Sequence, residues 1–197
     1  MIYLLRHGQT EMNAEGRFQG RRDSPLTARG RGQAAAMGDL LATVIEDPAG
    51  AAWVSSPLGR ARRTAEIVAA RLDVDPAGIG LEPRLAEIGF GRWEGLTRAE
   101  IEAREPALWQ ARLADKWDFV IPGGESYAMV AARARAWLAE QRPDAPVVAV
   151  CHGAFGRILR GLYLSASAEE IFALDEPQDA LFRLTDGVIQ RFDVESA

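Results

Sequence analysis

Three short apolar runs constrain this chain most: IYLLR at residues 2–6, AAWVSS at 51–56 and APVVAVC at 145–151. None has the polar alternation of a strand with one wet face, so each is expected to be a strand buried on both sides. Each is followed by a helical pattern. Strands that alternate with helices imply a three-layer α/β sandwich, a mostly parallel central sheet with helices on both faces. In such sheets ligands bind beyond the carboxyl ends of the strands.

Thr27 stands where it can cap a helix over about 28–45, which must accommodate Gly30, Gly32 and Gly38. Ser56 is expected to cap the next helix, with Pro57 in its first turn and LGRARRTAEIVAARL continuing it. A longer helix is expected from about Tyr127 to Gln141, after PGGES. In AFGRILRGLYL, Phe155, Ile158, Leu159 and Leu162 share one helical stripe. Asp186-Gly187 between two strand-like runs signals a C-terminal hairpin. With no repeat or linker, residues 1–197 read as one domain. Residues 89–122, with Trp93, Trp109, Trp117 and Phe119, read as a small, mainly helical insertion over the active site.

Composition removes several alternatives. The one cysteine, Cys151, cannot close an intramolecular disulfide or build a Cys-rich zinc site, which suits a reducing cytoplasm. A net charge of −5 argues against nucleic-acid binding but leaves small anionic substrates open. No apolar run approaches the ~20 residues of a membrane span, and no secretory leader is expected. All but one of the 23 basic residues are arginine, the exception being Lys116, so an arginine is informative only through its position.

The two histidines, His7 and His152, share one setting: each ends an apolar run and precedes a glycine. Both can therefore face one crevice at the strand ends. They could be satisfied polar residues at strand ends, or metal ligands, although no third ligand stands at a telling spacing. They could also do phosphoryl chemistry, one imidazole as nucleophile and the other as a charge-stabilising neighbour. Arg6 beside His7 and Arg60 near the start of a helix favour the last, because guanidinium forks match phosphate oxygens and a helix N-terminus attracts anions. Cys151 and His152, as strand neighbours, point to opposite faces and cannot form a reacting pair. For Arg6 and His7 to reach one phosphate, the chain must leave strand geometry there, and Gly8 permits that turn.

LLRHGQTEMN, FQG, DSPLTARGRGQA, SSPLGRARRTAEI, LAEIGFGRWEGLT, PGGES and VAVCHGAFGRIL occur in that order. Together they resemble the histidine phosphatase superfamily, with its phosphoglycerate mutase-like fold. The resemblance implies that His7 becomes phosphohistidine, that Arg6, Arg60 and His152 clamp the phosphoryl group, and that Asn13 adds a neutral donor. Glu87 falls at the family's general acid, although Glu82 and Glu94 stand close by. Gln19 and Gly20 match the stretch that approaches the rest of the substrate, and Gly153 is placed to join substrate binding. Phe90, Trp93, Trp117 and Phe119 could line the leaving-group pocket or simply pack. The expected function is a metal-independent phosphomonoesterase without cofactor, acting on a small phosphorylated metabolite in the cytoplasm. A homodimer is left open, and no nucleic-acid or membrane partner is expected. A cofactor-dependent phosphoglycerate mutase is the alternative. The stretch 97–126 is short and lacks the paired arginines of true mutases, which favours hydrolysis. A third reading is a phosphate-binding or regulatory protein that has lost catalysis.

Overall fold

The computed structural model describes residues 1–142 and 144–194. Six strands form one sheet: β1 (Ile2–Arg6), β2 (Ala52–Ser55), β3 (Gly80–Leu81), β4 (Val147–Cys151), β5 (Ala180–Thr185) and β6 (Val188–Asp193). Their order is β3-β2-β4-β1-β5-β6. The pairs β3/β2, β2/β4 and β4/β1 are parallel, and β5 and β6 close the sheet as an antiparallel hairpin. Asp186 and Gly187 both take positive φ (50° and 76°) in the hairpin turn, as a type I′ turn requires.

The missing polar alternation has a direct cause. Ile2, Leu4, Val147, Ala149 and Cys151 enter one core, while Tyr3, Leu5, Val148 and Val150 enter the other. Successive side chains on a strand face opposite ways, and here both faces are covered. The first face is covered by α6 (Tyr127–Ala139) and α7 (Gly153–Tyr163), the second by α2 (Ala28–Val44) and α3 (Gly59–Arg71). Phe155, Ile158 and Leu159 of α7 are fully buried, each contributing about 1.5–3 kcal/mol by leaving water.

The shorter helices are α1 (Glu11–Ala14), α4 (Arg98–Arg104), α5 (Pro106–Ala114) and α8 (Ala168–Ala173). Between β3 and α6, Trp93 is fully buried and its ring lies 5.8 Å from Trp109 and 6.2 Å from Phe119. Phe90 is buried, and Trp117 and Phe119 pack partly buried against the same core. These aromatics pack. No helix among the described residues is long and apolar enough to cross a membrane.

The expected cap of α3 differs. That helix starts at Gly59 with Leu58 as its N-cap residue, and no side chain of the cap residue bonds to it. The hydroxyl of Ser56 lies against His152 and accepts only the Leu58 N–H, ahead of the helix. Asp23 from a distant loop accepts the Arg60 N–H at 3.3 Å instead.

Candidate active site

Because β1 and β4 are parallel neighbours with Arg6 opposite Cys151, their carboxyl ends coincide. The His7 N–H still reaches the Cys151 carbonyl at 3.0 Å, which brings the residues that follow both strands to one place. The imidazoles of His7 and His152 meet edge to face, with centroids 5.1 Å apart.

The proton on His7 can be located from its partners. Nδ1 lies 2.8 Å from the carbonyl oxygen of Gly8, and a carbonyl only accepts, so Nδ1 carries the hydrogen. Nε2 therefore holds the lone pair, into which Arg60 Nε donates at 3.2 Å. The Gly8 N–H donates to Thr64 Oγ1, which in turn donates to the Arg60 carbonyl. The loop after β1 and the first turn of α3 are thus tied together.

Arg60 is buried and held on several sides. Its Nη2 donates to the Gly20 carbonyl at 2.8 Å, and Nη1 donates to the Arg22 carbonyl at 2.9 Å and to Asp23 Oδ1 at 3.2 Å. Gly20 takes φ +56°, and an added Cβ would lie 2.3 Å from Glu94 Oε1. Its contribution to the site is therefore a carbonyl that braces Arg60. Arg6 donates through Nη1 to the Glu176 carbonyl, while its Nε is buried without a partner among the described residues. The guanidinium lies against Gly153, where an added Cβ would come within 3.1 Å of it.

His152 is the N-cap residue of α7 and fully buried. Its Nε2 lies 2.7 Å from Ser56 Oγ, and its Nδ1 has no partner among the described residues. Burial, then the nearby Arg60, pushes the pKa of both imidazoles well below 6.5, so both are neutral at pH 7.

Glu87 joins from the far side. Its Oε1 accepts the N–H groups of Ile88 and Phe155 at 3.0 and 3.1 Å, and Oε2 accepts that of Ala154 at 3.2 Å. The carboxyl thus sits on the amino end of α7. Burial first, and Glu176 second, raise its pKa. Glu82 pairs with Arg84, and Glu94 accepts backbone N–H groups of Phe90, Arg21 and Arg22, so neither competes with Glu87 for this place.

Gln19 and Asn13 are both tied into the loop after β1. Gln19 has both ends of its amide engaged inside its own loop, accepting from Thr10 Oγ1 and donating to Ser24 Oγ. These bonds brace the loop and leave the second hydrogen of Nε2 as the group Gln19 can offer. Asn13 Oδ1 accepts from the Thr10 N–H and from Gln178 Nε2, which leaves its NH2 as the group it can offer. Gln178 also donates to the His7 carbonyl at 3.3 Å. Gln178, Thr64, Asp23 and Glu176 went unread in the sequence, and Ser56 was read only as a helix cap. Of these, Asp23, Ser56 and Thr64 stood inside stretches carrying the resemblance.

Cys151 packs in the core, where burial pushes its thiol up to about 12. Among the described residues no three His, Cys, Asp or Glu side chains gather as a metal site would need. What converges is a neutral imidazole with its lone pair exposed to a guanidinium, a second guanidinium, a second imidazole and a carboxyl with a raised pKa. That set suits transfer of an anionic group to nitrogen.

The sequence profile of the histidine phosphatase superfamily (branch 1) matches residues 2–185. The chain belongs to that superfamily. Similar members include the 6-phosphofructo-2-kinase/fructose-2,6-bisphosphatase of Caenorhabditis elegans, 34% identical over 99% of this chain and 42% of that protein. The probable phosphoglycerate mutase GpmB of Salmonella paratyphi C is 39% identical over 70% of this chain and 61% of its own length. The chain thus matches less than two thirds of either relative. A solved structure of mycobacterial glucosyl-3-phosphoglycerate phosphatase in complex with VO3 superposes with a TM-score of 0.78 at 31% identity, covering 100% of this chain and 98% of that one. Among histidine phosphatases this chain therefore shares its fold end to end with a phosphatase.

Proposed function

We propose that the chain is a phosphomonoesterase that works through a phosphohistidine on His7. The observation that carries this reading is the tautomer of His7, with the proton held by Gly8 and the lone pair of Nε2 in contact with Arg60. An entering phosphoryl oxygen takes over the Arg60 Nε–H, which frees Nε2 to attack phosphorus. The Nε2–P bond forms as the P–O bond to the leaving alcohol breaks, and Arg6, Arg60, His152 and the amino end of α7 take up the charge.

Glu87 supplies the proton. Oε1 already accepts two N–H groups and Oε2 one, so Oε2 is the oxygen better able to carry the acidic hydrogen. After it protonates the alcohol, the carboxylate takes a proton from water, the hydroxide attacks phosphorus, and the N–P bond breaks to release phosphate and restore His7. No step calls for a metal ion or cofactor.

The leaving group is taken to be an alcohol that carries a second anionic group. Residues 89–122 cover this side of the site in our reading, and they bring two cations to α7. Arg112, Lys116 and Arg157 gather around the Tyr127 ring at 5.8, 5.5 and 5.8 Å, with Glu176 pairing Arg157 at 3.1 Å. Three cations with one carboxylate leave room for a further anion, and burial together with Arg157 lowers the pKa of Lys116. A bisphosphate and a phosphoglycerate, in the names of two relatives, are substrates of this kind.

The test is hydrolysis of a simple phosphate monoester in the presence of a chelator. Activity should persist and be abolished by His7→Ala, whereas a chelator-sensitive enzyme or an active variant would refute the mechanism. The likeness to a probable phosphoglycerate mutase keeps one alternative in play. With 3-phosphoglycerate and a bisphosphoglycerate primer, phosphate release should exceed isomer formation, and the reverse would make the chain a mutase.

A further inference from the structure

Ser56 follows β2 directly and is fully buried. Its Oγ accepts the Leu58 N–H at 3.3 Å and lies 2.7 Å from His152 Nε2. The direction of that second bond decides what His152 offers its surroundings. If Nε2–H donated to Oγ, two buried groups would go unmatched: the Ser56 hydroxyl hydrogen, which has no other acceptor among the described residues, and the lone pair on Nδ1. If the hydroxyl donates to Nε2, only an Nδ1–H goes unmatched, and a phosphoryl oxygen is an acceptor for it. Unmatched buried polar atoms are costly, so the second arrangement wins.

We propose that Ser56 is a positioning residue that holds His152 in its Nδ1–H tautomer, so that the imidazole beside His7 meets the phosphoryl group as a hydrogen-bond donor. The proposal rests on the phosphatase reading for its consequence, though not for the tautomer itself. A neutral imidazole has one proton to place, and with the wrong nitrogen protonated His152 would turn a lone pair toward an anion. The buried site and its guanidiniums keep the ring from taking a second proton, so the tautomer is the variable that matters. The N-terminus of α3 is capped from Asp23, which accepts the Arg60 N–H, while the Ser56 hydroxyl accepts only the Leu58 N–H ahead of it.

Nitrogen NMR on protein labelled at its imidazoles tests this directly. Only two histidines contribute, and loss of one signal set in His7→Asn assigns them. In the unmodified protein His152 should show a protonated Nδ1 and a bare Nε2; a protonated Nε2 would overturn the proposal without any variant being needed. Ser56→Ala should shift the ring toward protonation at Nε2. It should also weaken binding of inorganic phosphate and lower kcat/KM by about ten- to a hundredfold, the range set by one charge-assisted hydrogen bond. Ser56→Thr, which keeps the hydroxyl, should restore both the tautomer and the rate. A folded Ser56→Ala protein with unchanged tautomer and phosphate affinity would refute the proposal. Failure of the phosphohistidine reading would show separately, as activity surviving in His7→Ala.

Discussion

His7, His152 and Glu87 are titratable groups held away from water, and the resulting shifts make predictions with definite signs. Both imidazoles have folded pKa values below 6.5, so the unfolded chain binds more protons as the solution becomes acidic. Their contribution to stability is complete above about pH 6.5 and is lost as pH falls through the folded values. Glu87 acts oppositely: its folded pKa lies above 4.5, and its contribution is lost as pH rises from there through the folded value. Comparison with His152→Asn isolates one imidazole. From about pH 7.5 to 5.5, urea midpoints should show the unmodified protein losing stability relative to the variant, and parallel curves would contradict the neutral, buried His152. Glu87→Gln keeps the shape of the side chain but cannot deliver its proton. It should lower kcat by about 10²–10⁴ for alkyl phosphates, and much less for an aryl phosphate whose leaving group needs no proton. Equal losses on both substrates would remove Glu87 from the role of acid.

The loop after β1 and the start of α2 meet almost without side chains between them. A Cβ on Gly8 would lie 2.1 Å from the Gly30 carbonyl oxygen, and one on Gly30 would lie 2.0 Å from that of Gln9. Alanine inside a helix usually gains up to about 1 kcal/mol over glycine. Here Gly30→Ala should instead destabilise by about 1–3 kcal/mol through overpacking, with a fall in activity because His7 moves with the loop. Thermal unfolding and kcat would both report it, and a stabilised, fully active variant would show that the crossing is slack. The same contact explains why Gly30, which looked like a weakness of the predicted helix, sits in its first turn. Strands β1 and β4 were legible because burial on both faces writes itself as an unbroken apolar run, whereas β2 buries Trp53 and Ser55 but leaves Ala52 exposed and Val54 partly so. The two-residue β3 has no such signature. Ser56 read as a helix cap because serine before proline is a local cap pattern, whereas its partner lies 96 residues away, beyond any local pattern. Gln178 was silent for the same reason, a coil residue whose contacts are with His7 and Asn13.

Over the whole molecule, the sheet brings Arg6, His7, Arg60 and His152 together from β1, β4 and α3, while the segment before α6 meets α7 in the cationic cluster around Tyr127. Burial of Trp93 and its aromatic neighbours fixes that segment as a packed unit, so Lys116 is presented from a supported backbone. Lys116→Ala should raise KM about tenfold or more for phosphate esters bearing a carboxylate or second phosphate, and leave an aryl phosphate little changed. A uniform effect on both classes would contradict a second-anion site. The division of labour between the two regions rests in the end on His7 being the atom donor to phosphorus. Rapid acid-free quenching of the enzyme with a radiolabelled phosphate monoester measures that most directly. The label should appear on the peptide containing His7, stable to alkali and lost in acid, at a rate no slower than turnover. Phosphate release with no labelled enzyme, or label on any other residue, would contradict it.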